Sequence, residues 1–129
     1  MGALPDDTWS TVDNFKNFII NNKPDSWLYS TFIPFPGTDY WNNPEKHGIE
    51  IVCHDSRAYY PLGLNAKGPV NLKTPNMSRD DLVKLRNDVL DFLRKEVPNS
   101  RVEAAINNFE SQKRVAEPYF DGLDTKYIW

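Results

Sequence analysis

Cysteine occurs once and histidine twice in this chain of 129 residues, and each scarcity closes a route. One cysteine cannot form an internal disulfide, and a dithiol redox centre needs a second cysteine two residues away. The chain is therefore read as belonging to a reducing compartment, or as not relying on crosslinks. No uninterrupted apolar run reaches about 18 residues, so no membrane helix is expected. No basic segment followed by an apolar core opens the chain, so no secretory leader is expected. After Met1-Gly2, position 6 is Asp6 rather than serine or threonine, which breaks the myristoylation pattern. Asn76-Met77-Ser78 fits the glycosylation sequon and, without a leader, is taken as chance. There is no glycine-rich phosphate loop and no Gly-x-Ser-x-Gly elbow. Lysine and arginine number 15 against 18 acidic residues, a net charge of −3. The basic residues are spread out, whereas phosphate binding needs a concentrated basic face, so nucleic acid is not expected as the main partner. No internal repeat or low-complexity tract appears.

What is present suits one globular domain. Hydrophobic residues make up 40% and aromatics 13%, enough for a single real core at this length. The most ordered pattern runs from Gly48 to Val97. Ile49 and Ile51 alternate with Glu50, and Val52-Cys53 extends the run, which predicts a strand. His54 to Arg57 reads as a loop. Ala58 to Leu64 reads as a second strand, at an edge or bulged because Pro61 cannot donate to a ladder. Asn65 to Gly68 reads as a turn, and Val70 to Thr74 alternates as a third strand paired with the second. Ser78 then caps a helix with Asp80 and Asp81 in its first turn. Leu82, Leu85, Val89, Phe92 and Leu93 form its apolar stripe, and Pro98 stops it.

The flanks are less regular. Residues 1–7 read as a short arm. A first helix is predicted from near Thr8 or Ser10 to Asn22, with Trp9, Val12, Phe15 and Ile19 on its apolar stripe. Trp27 to Phe35 reads as a strand ended by Pro34, Pro36 and Gly37. Thr38 to His47 reads as a loop packed by its own aromatics. Ser100 and Glu103 fit a capping box for a helix from Arg101 to Arg114, with Val102, Ala105, Ile106 and Phe109 as its face. The expected fold class is α+β: a mixed sheet of three to four strands with helices packed on it. Residues 1–118 form the domain. Residues 119–129 form a tail that either folds back or docks on a neighbour, and Tyr119, Phe120, Tyr127, Ile128 and Trp129 are its interface candidates.

Chemistry-bearing groups are few. Cys53-His54-Asp55 holds the residue types of a cysteine triad. Along a strand, however, Cys53 and Asp55 face opposite to His54, and triads assemble from distant positions. His47, Cys53, His54 and Asp55 match no zinc spacing. Asp80, Asp81, Asp88 and Asp91 read as a solvated strip on the helix. Trp9 and Trp27 read as core rather than as a sugar- or peptide-binding surface. No catalytic residue, cofactor or metal is expected.

Cys53, Pro61, Gly68, Val70-Asn71-Leu72 and Ser78-Arg79-Asp80-Asp81-Leu82 share an order of strand, hairpin and Ser-capped helix. That order resembles the second half of a thioredoxin-like domain. More narrowly, residues 49–93 resemble the mitochondrial family shared by two ribosomal proteins and the B8 accessory subunit of respiratory complex I. The first strand of that family has no counterpart here. The resemblance implies a redox-inactive, thioredoxin-like building block of a large mitochondrial complex, of respiratory type given the acidic balance. The expected function is thus a non-catalytic accessory subunit whose partners are other protein subunits. The expected setting is mitochondrial, or otherwise intracellular and soluble. The rival is a small enzyme or ligand-binding domain with its pocket near residues 36–47 and Cys53 and His54 at the edge.

Overall fold

The structure is a computed structural model and describes residue 2, residues 4–59 and residues 69–127. In chain order the described elements are α1 (Trp9–Asn22), a single turn α2 (Asp39–Asn42), a 3-10 turn (Pro44–His47), β1 (Glu50–Ile51), a 3-10 turn (Ser56–Tyr59), β2 (Leu72–Lys73), α3 (Arg79–Glu96), α4 (Ser100–Ala116) and two 3-10 turns at Glu117–Phe120 and Thr125–Tyr127. None of the helices is long and apolar enough to cross a membrane, among the described residues.

α3 is the organising element, as its sequence predicts. The Ser78 hydroxyl accepts from the Asp81 amide, and the Asp81 carboxylate accepts from the Ser78 amide. This reciprocal cap satisfies two N–H groups that the first turn leaves without partners. Of the predicted stripe Leu82, Leu85, Val89 and Leu93 are buried and Phe92 is half-buried, and Leu90, which the prediction left out, is buried with them. α1 packs on them through Val12 and Ile19, with Phe15 half-buried alongside. Thr8 and Thr11 cap α1 reciprocally. Pro24 disfavours the helical region for the residue before it, and Lys23 turns left-handed there with φ 44°. Trp27 ties the chain after α1 to the end of α3: its indole N–H donates to the Val97 carbonyl at 2.8 Å. Trp9 departs from its predicted core position. It is 40% exposed, with the Lys84 ammonium 5.2 Å from its ring centre, because it sits in the first turn of α1, at the edge of the contact with α3.

The mixed sheet of three to four strands does not form. Among the described residues the chain is mostly helical, and its sheet is one antiparallel pair, Glu50 against Lys73 and Ile51 against Leu72. The predicted third strand pairs with the first. The reason lies in what stands beside each extended run. From Leu28 to Thr31 burial alternates, Tyr29 and Thr31 inward and Leu28 and Ser30 outward. That is strand-like conformation, yet its only ladder partner among the described residues is Gly2, in a parallel bridge. At Ala58 and Tyr59, the described start of the predicted second strand, the backbone coils instead. The Asp55 carboxylate accepts from the Arg57 amide, and Ala58 N–H closes on the Asp55 carbonyl, an Asx-type turn that competes with extended structure. Residues 60–68, which hold Pro61 and the predicted Asn65–Gly68 turn, lie outside the described residues.

α4 is longer than predicted and is capped by a different residue. The Asn99 side-chain oxygen accepts from the Arg101 and Val102 amides at 3.1 and 3.4 Å, which makes Asn99 the cap and Ser100 the first helical residue. Glu103 is instead engaged by Arg94 of α3 in a two-pronged ion pair, 2.7 and 2.8 Å, fixing the corner between the two helices. The side chains of Ala105, Ile106 and Phe109, the rest of the predicted face, lie outside what is described. Replacing Asn99 by alanine is therefore expected to lower unfolding free energy by about 1 kcal/mol, and Ser100→Ala to change it by less than about 0.5 kcal/mol, as read from urea denaturation; equal losses would restore Ser100 as the cap.

Candidate functional site: the face closed by the C-terminal segment

The three adjacent chemistry-bearing residues are held apart. Cys53 is buried in a second apolar cluster with Ile51, Ala58 and Tyr59. His54 is exposed and meets the edge of the Trp41 ring, centroids 5.7 Å apart. The Asp55 carboxylate is occupied by the Arg57 guanidinium at 2.6–3.1 Å, which holds its carboxyl below the usual range. Each is turned to different surroundings, whereas acid–base or nucleophilic work requires the groups to converge. Among the described residues, no three histidine, cysteine, aspartate or glutamate side chains gather as a metal would need.

The loop predicted to pack on its own aromatics folds around one carboxylate. Asp39 accepts from Asn43 Nδ2 at 2.7 Å and Lys46 Nζ at 3.0 Å, and its oxygen lies 2.6 Å from His47 Nε2. Tyr40 stacks on the His47 ring with centroids 4.0 Å apart, and Phe32 meets Tyr40 edge-on. The hydrogen bonds from Asn43, then Lys46, then His47 hold the Asp39 carboxyl well below its ordinary value of 3.8. Both short turns, α2 and Pro44–His47, are thereby stapled together at the surface. The arrangement holds a loop: the one imidazole in it, His47, is taken up by the Asp39 carboxylate and the Tyr40 ring.

The face that gathers the most long-range polar contacts lies at the end of the β1–β2 ribbon. The Tyr59 hydroxyl donates to the Cys53 carbonyl at 2.5 Å, with the Asn71 carbonyl 3.1 Å away. Burial pushes this phenol far above its usual pKa. Trp41 stands perpendicular to the Tyr59 ring at 4.9 Å. The Asn71 carboxamide N–H₂ donates to the Ala58 carbonyl at 3.0 Å and to the Tyr127 carbonyl at 2.7 Å. Two more donors reach the same segment. Arg57 bonds the Tyr119 and Asp121 carbonyls at 3.4 and 3.2 Å, and Arg79 bonds the Lys126 carbonyl. Leu123 and Tyr127 pack on the second cluster beneath.

The interface candidates therefore separate. Phe120 is buried within the chain beside Ala116 and Leu123. Tyr127 is half-buried on the second cluster, 5.6 Å from the Arg79 guanidinium. Tyr119 points outward, 76% exposed, one turn beyond Val115 at 74%. Ile128 and Trp129 lie outside the described residues. Sequence reasoning missed Asn71, Arg57 and Arg79 as anchors. Asn71 is the polar member of an alternating run between Val70 and Leu72, yet it is 2% exposed, with the C-terminal segment bonded to it through the Tyr127 carbonyl. An asparagine alone in an apolar strand was the one signal available. Reasoning from sequence also passed over Val115.

No family model, no curated protein and no solved structure matches the chain.

Two outcomes follow from this geometry. Asn71→Ala leaves two carbonyls without their donor, at a cost of about 1–3 kcal/mol, and amide exchange should rise first at residues 119–127; uniform exchange across the molecule would show that the segment is not held there. The Asp39 carboxyl is depressed in the folded chain, so its contribution is present above the unfolded value and is lost as pH falls through the lower folded value. A carbon-detected NMR titration should place the Asp39 midpoint below 3.8, with Asn43 and His47 resonances moving together with it.

Proposed function

We propose that the chain is a non-catalytic accessory subunit that docks on another protein through the outer side of residues 115–119. The observation that carries this reading is a segment apolar on both sides and covered on one. Ala116 and Phe120 face inward and are buried, while Val115 and Tyr119, each one residue earlier, face outward and are about three-quarters exposed. Glu117 and Pro118 lie exposed between them, so the outward apolar groups are bordered by a charge, as interface rims are. Tyrosine suits such a surface, because it buries a large area at little entropic cost and keeps a polar tip for the rim. The inner side is already anchored by Arg57 on the Tyr119 and Asp121 carbonyls, so the outer side is presented in a fixed geometry and docking requires little reordering. The occupant inferred is another protein subunit with an apolar pocket. The mitochondrial setting rests on the resemblance of residues 49–93 alone, and no feature of this face adds to it.

The rival reading, a pocket near residues 36–47 edged by Cys53 and His54, has no comparable support: the thiol is buried and the imidazole is turned to Trp41. The test is recovery from native extract. The chain is expected in a particle larger than its own 14.9 kDa. The double variant Val115→Asp, Tyr119→Asp is expected to leave that particle while its unfolding free energy shifts by less than about 0.5 kcal/mol, as exposed substitutions do. Recovery of the unaltered chain as a monomer overturns the proposal.

A further inference from the structure

A cavity of about 70 Å³ lies between the N-terminal arm, α1 and α3, lined by Gly2, Asp7, Thr11, Val12, Phe15, Tyr29, Leu85 and Val89. It has room for about two waters or for the few heavy atoms of a small organic molecule. The Tyr29 hydroxyl borders it and has no hydrogen-bond partner, although Tyr29 is only 5% exposed. A buried hydroxyl left unpaired costs about 1–3 kcal/mol. Gly2 is what lets the phenol lie there: a Cβ on Gly2 would stand 1.9 Å from the Tyr29 oxygen. Burial, and then the nearby Asp7 carboxylate, push the phenol up to about 12, so it is a neutral O–H donor at any ordinary pH. Asp7 is half-buried and accepts from the Leu4 amide at 2.9 Å and from the Thr11 hydroxyl at 3.4 Å. A carboxylate has about four acceptor positions, so capacity remains.

The chemistry of the guest follows from what each wall lacks. The phenol needs an acceptor; the carboxylate can take a further donor. An ammonium group supplies donors and leaves the phenol hydrogen unpaired. A carboxylate guest accepts from the phenol and is drawn by the Arg86 guanidinium, whose charge reaches the phenol, but it is repelled by Asp7, which lines the cavity where Arg86 does not. A hydrocarbon satisfies neither. A hydroxyl does both at once, and a short carbon chain attached to it covers the apolar wall of Val12, Phe15, Leu85 and Val89, which a water leaves wet. We propose that this cavity binds a small neutral alcohol, its hydroxyl accepting from the Tyr29 phenol and donating to the Asp7 carboxylate.

The experiment is an amide-resolved NMR titration of the full chain with n-propanol, n-propylammonium and propionate at equal ionic strength. Saturable shifts at Gly2, Thr11 and Val12 with n-propanol, and none with the two ions, are expected. Tyr29→Phe should weaken that binding by roughly fivefold, the loss of one hydrogen bond. Because Tyr29→Phe also removes an unpaired buried hydroxyl, its thermal midpoint should not fall. If that variant does not fold, Asp7→Ala serves in its place and should likewise weaken n-propanol. Linear, non-saturating shifts with n-propanol mean that water alone fills the space and overturn the proposal. So does an equal or stronger response to n-propylammonium, or undiminished binding by the variant that folds.

Discussion

The carboxamide of Asn71 joins three parts of the chain. One of its donors goes to the Ala58 carbonyl in the turn after β1, and the other goes to the Tyr127 carbonyl near the C-terminal end. Its own backbone carbonyl accepts from the Val52 amide, extending the β1–β2 pairing by one rung. With Tyr59 bonded to the Cys53 carbonyl alongside, a buried polar group is converted into a junction. It ties the 56–59 turn and the backbone at Tyr127 to the ribbon, while Arg57 holds the backbone at Tyr119 and Asp121.

This arrangement explains how a two-rung sheet suffices. A pair of strands is marginal by itself. Here Leu72 and Val70 are fully buried against the α1–α3 core, while Ile51 and Cys53 turn to the second cluster. Ile51 and Leu72 are direct partners and so share a face, and the ribbon is buried along its length by two neighbouring apolar groups. The helices supply the larger part of the core, and the irregular segments supply the cover.

The same logic separates the two sites inferred. The 115–119 surface is an outward face of a segment whose inner face is already fixed, so it offers area and shape to a macromolecule. The Tyr29 cavity is small and enclosed on its apolar side, so it discriminates by hydrogen-bond complementarity. They lie on different elements and rest on different observations, one on exposed apolar groups and the other on an unpaired buried hydroxyl.

Much of the helical frame was legible in the residues. Ser78 with Asp81, the stripe from Leu82 to Leu93, and Thr8 before α1 are local patterns, because a helix satisfies its backbone within a few residues of sequence and its period marks its buried side. The separation of Cys53 from His54 was also foreseeable from strand alternation. The sheet was not. Extended conformation can be read at Tyr29 and Thr31, but whether a strand has a neighbour depends on residues far away in sequence, and there the neighbour is one glycine. At Asn71, alternation says which side a residue takes and not what will later cover that side. Only the folded chain decides that Phe120 turns in while Tyr119 turns out, and that Tyr29 is buried without a partner, because both depend on segments that meet across 50 residues or more, or across an arm whose approach is permitted by the missing side chain of Gly2.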